Sequence, residues 1–367
     1  MNGVSIVIAT KGRVQLLENL LKSLSIARSN YEGNTEVILA DDSTSEDAVQ
    51  IDLLCKKYDA RRITFSPSVS GRRNFGAKNA NYDVVLFLDS DCIATPHIIE
   101  EHASQYTDSR VGGVAGPLEF TGKESWFWKS VNATPFLICF KMPYWGPTSL
   151  WATTANFSVR KTAFEDISGF DESFPNNPGG EDVDLGLRMT KKGYIIRNTT
   201  KGLVYHDKAT WQAPKSMFRR CWYYGRADVY VVERHEDYSC NTMPRKLLLN
   251  LLGAISIILM AILVSPKALI LLPIWILGDW IIHSLMAMKF GYGDNDLLHQ
   301  LFTQLMLYTN EAGYIIECLS QRRPSLISRQ TVFVNNQIKG IPYNGLLNAM
   351  QFSLEFVVMI LIVWLIR

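Results

Sequence analysis

Val84-Val85-Leu86-Phe87-Leu88-Asp89-Ser90-Asp91 is the stretch on which the fold turns. Five apolar residues in a row read as a strand buried on both faces of a parallel sheet. Residues i and i+2 of a strand share a face, so Asp89 and Asp91 can point at one spot where the strand meets its loop. Two carboxylates so close repel unless a cation lies between them. A hard divalent cation that takes oxygen ligands fits, and Mg2+ held by carboxylates commonly also contacts substrate phosphates. The pair therefore suggests a metal-diphosphate site. A polar turn after a strand explains it equally well in isolation.

Outward from that stretch, strands and helices alternate. Val4 to Ala9 reads as a first strand, and Val14 to Leu24 as a helix with Leu16, Leu17, Leu20, Leu21 and Leu24 at helical spacing. Glu36 to Ala40 is a second strand ending in Asp41-Asp42, and Asp47 to Tyr58 a second helix. Ile63 to Phe65 reads as a short strand, Gly71 to Asn81 as a helix opening with Gly-Arg-Arg, and Ala155 to Arg160 as a later strand. This order predicts an α/β, Rossmann-like, mostly parallel sheet with helices on both faces. Ligands of such sheets sit beyond the carboxyl ends of the strands. Thr10, Asp42 and Asp91 all fall there.

Gly179-Gly180-Glu181-Asp182-Val183-Asp184 opens another helix. Acids in a first turn suit the helix dipole, which accounts for one or two of the three. A carboxylate there can also serve as a general base toward an acceptor hydroxyl. His206, in Val204-Tyr205-His206-Asp207, is either structural or a third metal ligand. The basic, aromatic run Phe218 to Arg226 suits a leaving diphosphate or a membrane-proximal belt equally.

After about Arg245 the composition changes. Residues 247–264 carry no charge, 268–288 carry only Asp279 and His283 as ionisable groups, and 346–366 carry only Glu355. Each approaches the roughly 20 residues a helix needs to cross a bilayer. Ser265-Pro266-Lys267 between the first two suggests a hairpin. Residues 297–320 read as an amphipathic helix at the interface. The chain thus divides into an α/β domain over 1–243 and a membrane region over 244–367. Basic residues at Arg245, Lys246, Arg322, Arg323 and Arg329 place the large domain on the cytoplasmic side of a plasma (cell inner) membrane crossed several times. Formal charge is +2, so no nucleic-acid partner is implied. Six scattered cysteines form no close pair, so neither a zinc site nor a redox motif is indicated and a reduced compartment is the simpler assumption. No signal peptide is evident.

Together these motifs resemble a family 2 glycosyltransferase of the GT-A fold. The likeness rests on Val4 to Thr10 with Arg13, Leu39 to Ser45, Gly71-Arg72-Arg73-Asn74, Phe87 to Asp91, Gly169-Phe170-Asp171-Glu172 and Gly180 to Leu185, in that order. It implies an inverting transferase that moves a sugar from a nucleotide-diphosphate sugar (a UDP- or GDP-sugar) to an acceptor hydroxyl. By the resemblance, Asp42 contacts the nucleobase, and Thr10, Arg13, Arg73 and Asn74 lie near the nucleotide. Asp89 faces the ribose or sugar, Asp91 binds Mn2+ or Mg2+, and His206 matches a position where some members place a metal ligand. Glu181 and Asp182 match the acidic pair, with Asp182 as catalytic base. Ser43 stands where glycine is usual. Residues 219–226 lack the Gln-x-x-Arg-Trp pattern of processive synthases, which favours addition of a single sugar. The hairpin favours a lipid-linked or cell-envelope glycan acceptor. The competing functions are a nucleotidyltransferase, which calls for a longer glycine-rich phosphate loop than Ala9 to Arg13, and a non-catalytic membrane-anchored nucleotide-sugar-binding protein.

Overall fold

A computed structural model describes residues 3–65, 68–175, 179–241, 245–289 and 296–331, with Ser353, Phe356 and Val357. The 346–366 segment otherwise lies outside the described residues.

The chain begins β1 (Val4–Thr10), α1 (Val14–Ser29), β2 (Thr35–Asp41), α2 (Ser45–Tyr58), β3 (Arg61–Thr64), α3 (Val69–Lys78) and β4 (Val84–Asp89). It continues with β5 (Cys92–Ala94), α4 (Ile98–Ala103), β6 (Val111–Ala115), β7 (Leu118–Thr121), α5 (Trp128–Asn132), β8 (Thr148–Ser149), β9 (Asn156–Arg160) and α6 (Lys161–Asp166). Next come α7 (Glu181–Lys191), β10 (Ile195–Asn198), β11 (Val204–Asp207), α8 (Pro214–Arg234) and β12 (Ser239–Asn241). The last are α9 (Lys246–Leu263), α10 (Leu271–Lys289), α11 (Leu297–Ser320) and β13 (Arg329–Thr331). The described residues of Met1–Lys123 and Phe136–Thr210 form one compact unit, and those of Glu124–Pro135 and Trp211–Val332 form another.

The first unit is built on an eight-stranded sheet of order β3-β2-β1-β4-β9-β6-β10-β8. Strands β3, β2, β1 and β4 run parallel, while β9 lies antiparallel between β4 and β6. The apolar runs drive this arrangement. Val7, Ile38, Val85, Phe87, Phe157 and Val159 bury one face of the sheet in a core shared with Leu185 and Met189 of α7. On α1, the leucines at 17, 20, 21 and 24 form the buried stripe read from their spacing. The expected strand Ile63 to Phe65 forms as β3, starting two residues earlier and ending one residue earlier. Its charged start is tolerated at a sheet edge because the Arg62 guanidinium bonds Asp41 on the neighbouring strand. A second sheet, β5-β11-β7, carries the strand that ends in His206 and Asp207.

In the second unit, α9 and the segment Pro266–Met288 are each long and apolar enough to cross a membrane. Ile257 of α9 packs with Leu271 and Trp275 of α10, closing the expected hairpin. A buried ion pair joins Lys246 to Asp279 at 2.8 Å, and Gln304 of α11 donates to the same carboxylate at 2.6 Å. The helix expected over 297–320 forms as α11 and packs on α8 through Val229, Val232, Tyr314 and Cys318. Residues 211–241 thus pack with the apolar helices, although the composition shifts only near residue 244. Arg226 of the basic run is spent on Glu317 at 2.5 Å, and Arg220 lies over the Trp211 ring at 3.9 Å.

Glycine lets α8 and α11 touch backbone to backbone. A Cβ at Gly225 would fall 1.9 Å from the Asn310 carbonyl oxygen, and one at Gly313 would fall 2.2 Å from that of Trp222. Gly313→Val should therefore cost about 1–3 kcal/mol through overpacking. A drop in thermal midpoint in detergent, with no drop for Gly278→Ala where a Cβ meets nothing within 4 Å, is the expected pattern. Equal midpoints would contradict the close crossing.

Candidate active site

Strand register lines up the carboxyl ends. Thr10 lies opposite Asp41 on β2, and Ala9 lies opposite Asp89 on β4. The acids of two sequence motifs and Thr10 therefore share one edge of the first unit. Asp41 is fully buried, with Arg62 Nε at 2.7 Å and the Ser43 hydroxyl donating to it at 2.5 Å. It fixes the loop. Asp42, one residue on, is partly buried and pairs with Lys11 at 2.9 Å and Arg72 at 3.4 Å. Thr10 is buried at the strand end, its hydroxyl 3.5 Å from the Gly12 carbonyl. Arg13 caps α1 in the left-handed region at φ 55°, a conformation that costs an L-residue roughly 1–2 kcal/mol. That backbone carries its guanidinium to Asp91, Nη1 to Oδ2 at 2.8 Å.

Asp91 is held from two sides. His206 reaches its other oxygen, Nε2 to Oδ1 at 3.1 Å, and both side chains are only 4% exposed. The pair forms because β11 runs antiparallel to β5, with His206 opposite Cys92. Burial alone would raise the Asp91 carboxyl, but the bond and charge of His206, with the charge of Arg13, outweigh it and hold it down at about 2. Burial likewise disfavours charge on His206, and Asp91 overcomes this to raise the imidazole above its ordinary value. The donor set of carboxylate oxygen and imidazole nitrogen, 3.1 Å apart, suits two ligands of one divalent cation.

Arg73 ties the sheet to α7. Its buried guanidinium bonds Asp89 at 3.2 Å and Glu181 at 2.9 Å. Glu181 also accepts from the Gly179 amide at 2.7 Å. Gly180, at φ 83°, supplies the left-handed turn that starts α7 at Glu181. Asp182 follows on the first turn. Burial and the adjacent Glu181 charge, only partly offset by Arg73, push its carboxyl up to about 7.

The structure thus brings together two groups. Asp91, His206 and Arg13 form one, and Arg73, Asp89, Glu181 and Asp182 the other, linked through Asp89-Ser90-Asp91. Asn74 joins neither. Its amide donates to the Phe170 carbonyl at 2.9 Å and Glu172 at 2.8 Å, and its oxygen accepts from the Phe170 amide at 2.8 Å. It pins the Gly-Phe-Asp-Glu loop. Sequence reasoning passed over Lys11 and Arg72, the cations on Asp42. The second lay beside a residue already chosen in Gly71-Arg72-Arg73-Asn74, but nothing in its spacing showed which arginine faces which acid.

Residues 5–168 match the model of glycosyl transferase family 2. The chain carries a family 2 glycosyltransferase domain. Over 236 residues it is 28% identical to the O-antigen biosynthesis protein RfbC of Myxococcus xanthus, covering 57% of this chain and 18% of that protein. Over 232 residues it is 26% identical to the validoxylamine A glucosyltransferase of Streptomyces hygroscopicus subsp. jinggangensis (strain 5008), covering 52% of each. The chain therefore spans 18% of one of these curated relatives and 52% of the other. Among solved structures it is similar to the mannosyltransferase PcManGT from Pyrobaculum calidifontis in complex with GDP-Man and Mn2+, with TM-score 0.53, 13% identity and 87% of both chains covered. At that identity the shared feature is the GT-A fold.

The Arg73 bridge makes a stability prediction. Arg73→Met leaves the buried Glu181 carboxylate without its partner and should cost about 3–5 kcal/mol. Chemical denaturation should show a lowered midpoint, partly restored in Arg73→Met/Glu181→Gln. A single variant as stable as the parent would show that the bridge does not hold α7 to the sheet.

Proposed function

We propose that this chain is an inverting glycosyltransferase that moves a sugar from a nucleotide-diphosphate sugar to an acceptor hydroxyl. The observation that carries this reading is the Arg73 bridge from Asp89 to Glu181, which brings Asp182, its carboxyl raised to about 7, to the acids at the strand ends. A base poised near neutral pH can take a proton from a hydroxyl without giving up driving force. A family 2 glycosyltransferase domain over residues 5–168 supports the same class of reaction.

The residues divide the work as follows. Asp91 and His206 would hold a divalent cation, Mn2+ or Mg2+, which would supply charge neutralisation for a departing diphosphate. Arg13, half exposed and already on Asp91, is free at its outer edge to meet a phosphate oxygen. Asp42, between Lys11 and Arg72, accepts hydrogen bonds from a nucleobase of a UDP- or GDP-sugar. Asp89 faces the ribose or sugar, and Thr10 closes the floor of the nucleotide site. Glu181 and Arg73 fix the start of α7, and Asn74 fixes the loop beside it. Asp182 deprotonates the acceptor hydroxyl, which attacks the anomeric carbon from the face opposite the leaving group. One displacement inverts the centre, and no covalent enzyme intermediate forms.

The transferase machinery lies within 1–243 and membrane attachment within 244–367. Two helices long and apolar enough to span a bilayer support attachment, and basic residues such as Arg245 beside the first favour a cytoplasmic catalytic unit. The acceptor is a lipid-linked or cell-envelope glycan. RfbC, a relative named for O-antigen biosynthesis, is in keeping with that class.

A panel of nucleotide sugars offered with lipid-linked and soluble acceptors tests the reading. Transfer should fall about tenfold per pH unit below about 7, because protonation of Asp182 removes the base. Asp182→Asn should retain donor binding and lose about 10²–10⁴-fold in rate, together with that acid limb. Turnover at the parent rate in Asp182→Asn, or transfer confined to soluble acceptors, would overturn the base assignment or the acceptor class respectively.

A further inference from the structure

We propose that Cys92 is a third, thiolate ligand of the cation site at Asp91 and His206, and that it biases this site toward thiophilic divalent cations. The inference rests on the reading of Asp91 and His206 as cation ligands.

Strand register puts the sulfur there. Cys92 on β5 stands directly opposite His206 on β11, and directly opposed residues of an antiparallel pair project from the same face. Asp91 precedes Cys92 in the chain. As a result the ligand atoms of Asp91, Cys92 and His206 all lie within 4.8 Å of one another. Among the described residues no other group of three His, Cys, Asp or Glu side chains has that spacing. Bonds of about 2.0–2.3 Å to a tetrahedral ion put ligand atoms roughly 3.3–3.8 Å apart. Asp91 and His206 are already that close, at 3.1 Å. The sulfur needs to move by at most about 1–1.5 Å, within reach of a side-chain adjustment.

Burial and the nearby Asp89 and Asp91 charges push the Cys92 thiol well above its ordinary value, so the sulfur ligates where a cation displaces its proton. Cys92 is 1% exposed; its thiol makes a long contact of 3.8 Å to the Ala155 carbonyl, cheap to give up, and a backbone hydrogen bond with Asp89. Arg13 occupies Oδ2 of Asp91 and leaves Oδ1 to the side shared with His206. The other His206 nitrogen lies 3.4 Å from the Asp207 carbonyl, which orients the ring with Nε2 toward the site. A buried cysteine is by default core packing. Here the same residue completes a set of three donors of graded softness: oxygen, nitrogen and sulfur.

Binding breaks the S–H bond. The proton leaves to solvent, the sulfur lone pair forms the metal–sulfur bond, and no electron changes hands. Hard Mg2+ gains nothing from such a ligand, whereas Co2+, Zn2+ and Cd2+ do.

The test is titration of the full chain in detergent with Co2+ alone, then with GDP or UDP present, followed by absorbance and calorimetry. The wild type should develop a near-ultraviolet sulfur-to-cobalt charge-transfer band. Cys92→Ser and Cys92→Ala should still bind Co2+ but lack the band. Their Cd2+ affinity should fall at least about tenfold, the cost of losing even a supporting group at a metal site, while Mg2+ affinity stays level. Co2+ bound without the band in the wild type, or a band that survives in both variants, overturns the proposal while leaving the Asp91–His206 site standing. The wild-type spectrum decides this even if the variants fold poorly. Absence of any divalent binding, Mn2+ included, would bring down the underlying cation site as well.

Discussion

Charge neutralisation at the carboxyl edge of the sheet is the constraint on which the rest depends. Parallel register brings Asp41, Asp42 and Asp89 to one edge, and the loop after β4 adds Asp91. Two like charges 4 Å apart repel by about 4 kcal/mol near a protein surface. The chain answers with a cation for each: Arg62 for Asp41, Lys11 and Arg72 for Asp42, Arg73 for Asp89, and Arg13 with His206 for Asp91. Each of these acids thus has at least one basic side chain against it. Asp182 is tuned in the opposite direction. Burial and Glu181 raise it, while the same arrangement lowers Asp91 to about 2. One short stretch of fold thus separates an acid that stays ionised from one that can exchange a proton near neutral pH.

Much of this was legible in the amino-acid order. The unbroken apolar runs at 4–9, 36–40 and 84–88 gave strands buried on both faces, because such runs have no polar side to turn to water. The leucine spacing of α1 gave its buried stripe. Edges were harder. β3 begins with two arginines, and their partners Glu36 and Asp41 on the adjacent strand explain why they are tolerated there.

The site was legible in its acids and less so in its bases. Asp89, Asp91, Glu181 and Asp182 stand out because acids cluster at strand ends and at a helix start. Which cation meets which acid depends on contacts spanning many residues, such as Arg73 to Glu181 and Arg13 to Asp91. No periodicity carries that information. Asn74 shows the converse case, a residue chosen from its motif whose side chain is spent on holding a loop. The second unit held a similar lesson: Arg226 in the basic run pairs with Glu317, a partner far along the chain.

The most direct measurement is calorimetric titration of the full chain with UDP and GDP, in Mn2+ and again after chelation, for the wild type and Asp91→Asn. If the converging acids and His206 bind one cation that bridges to the diphosphate, chelation should weaken nucleotide binding at least tenfold in the wild type and change little in the variant. Equal wild-type affinity with and without the cation would contradict the account.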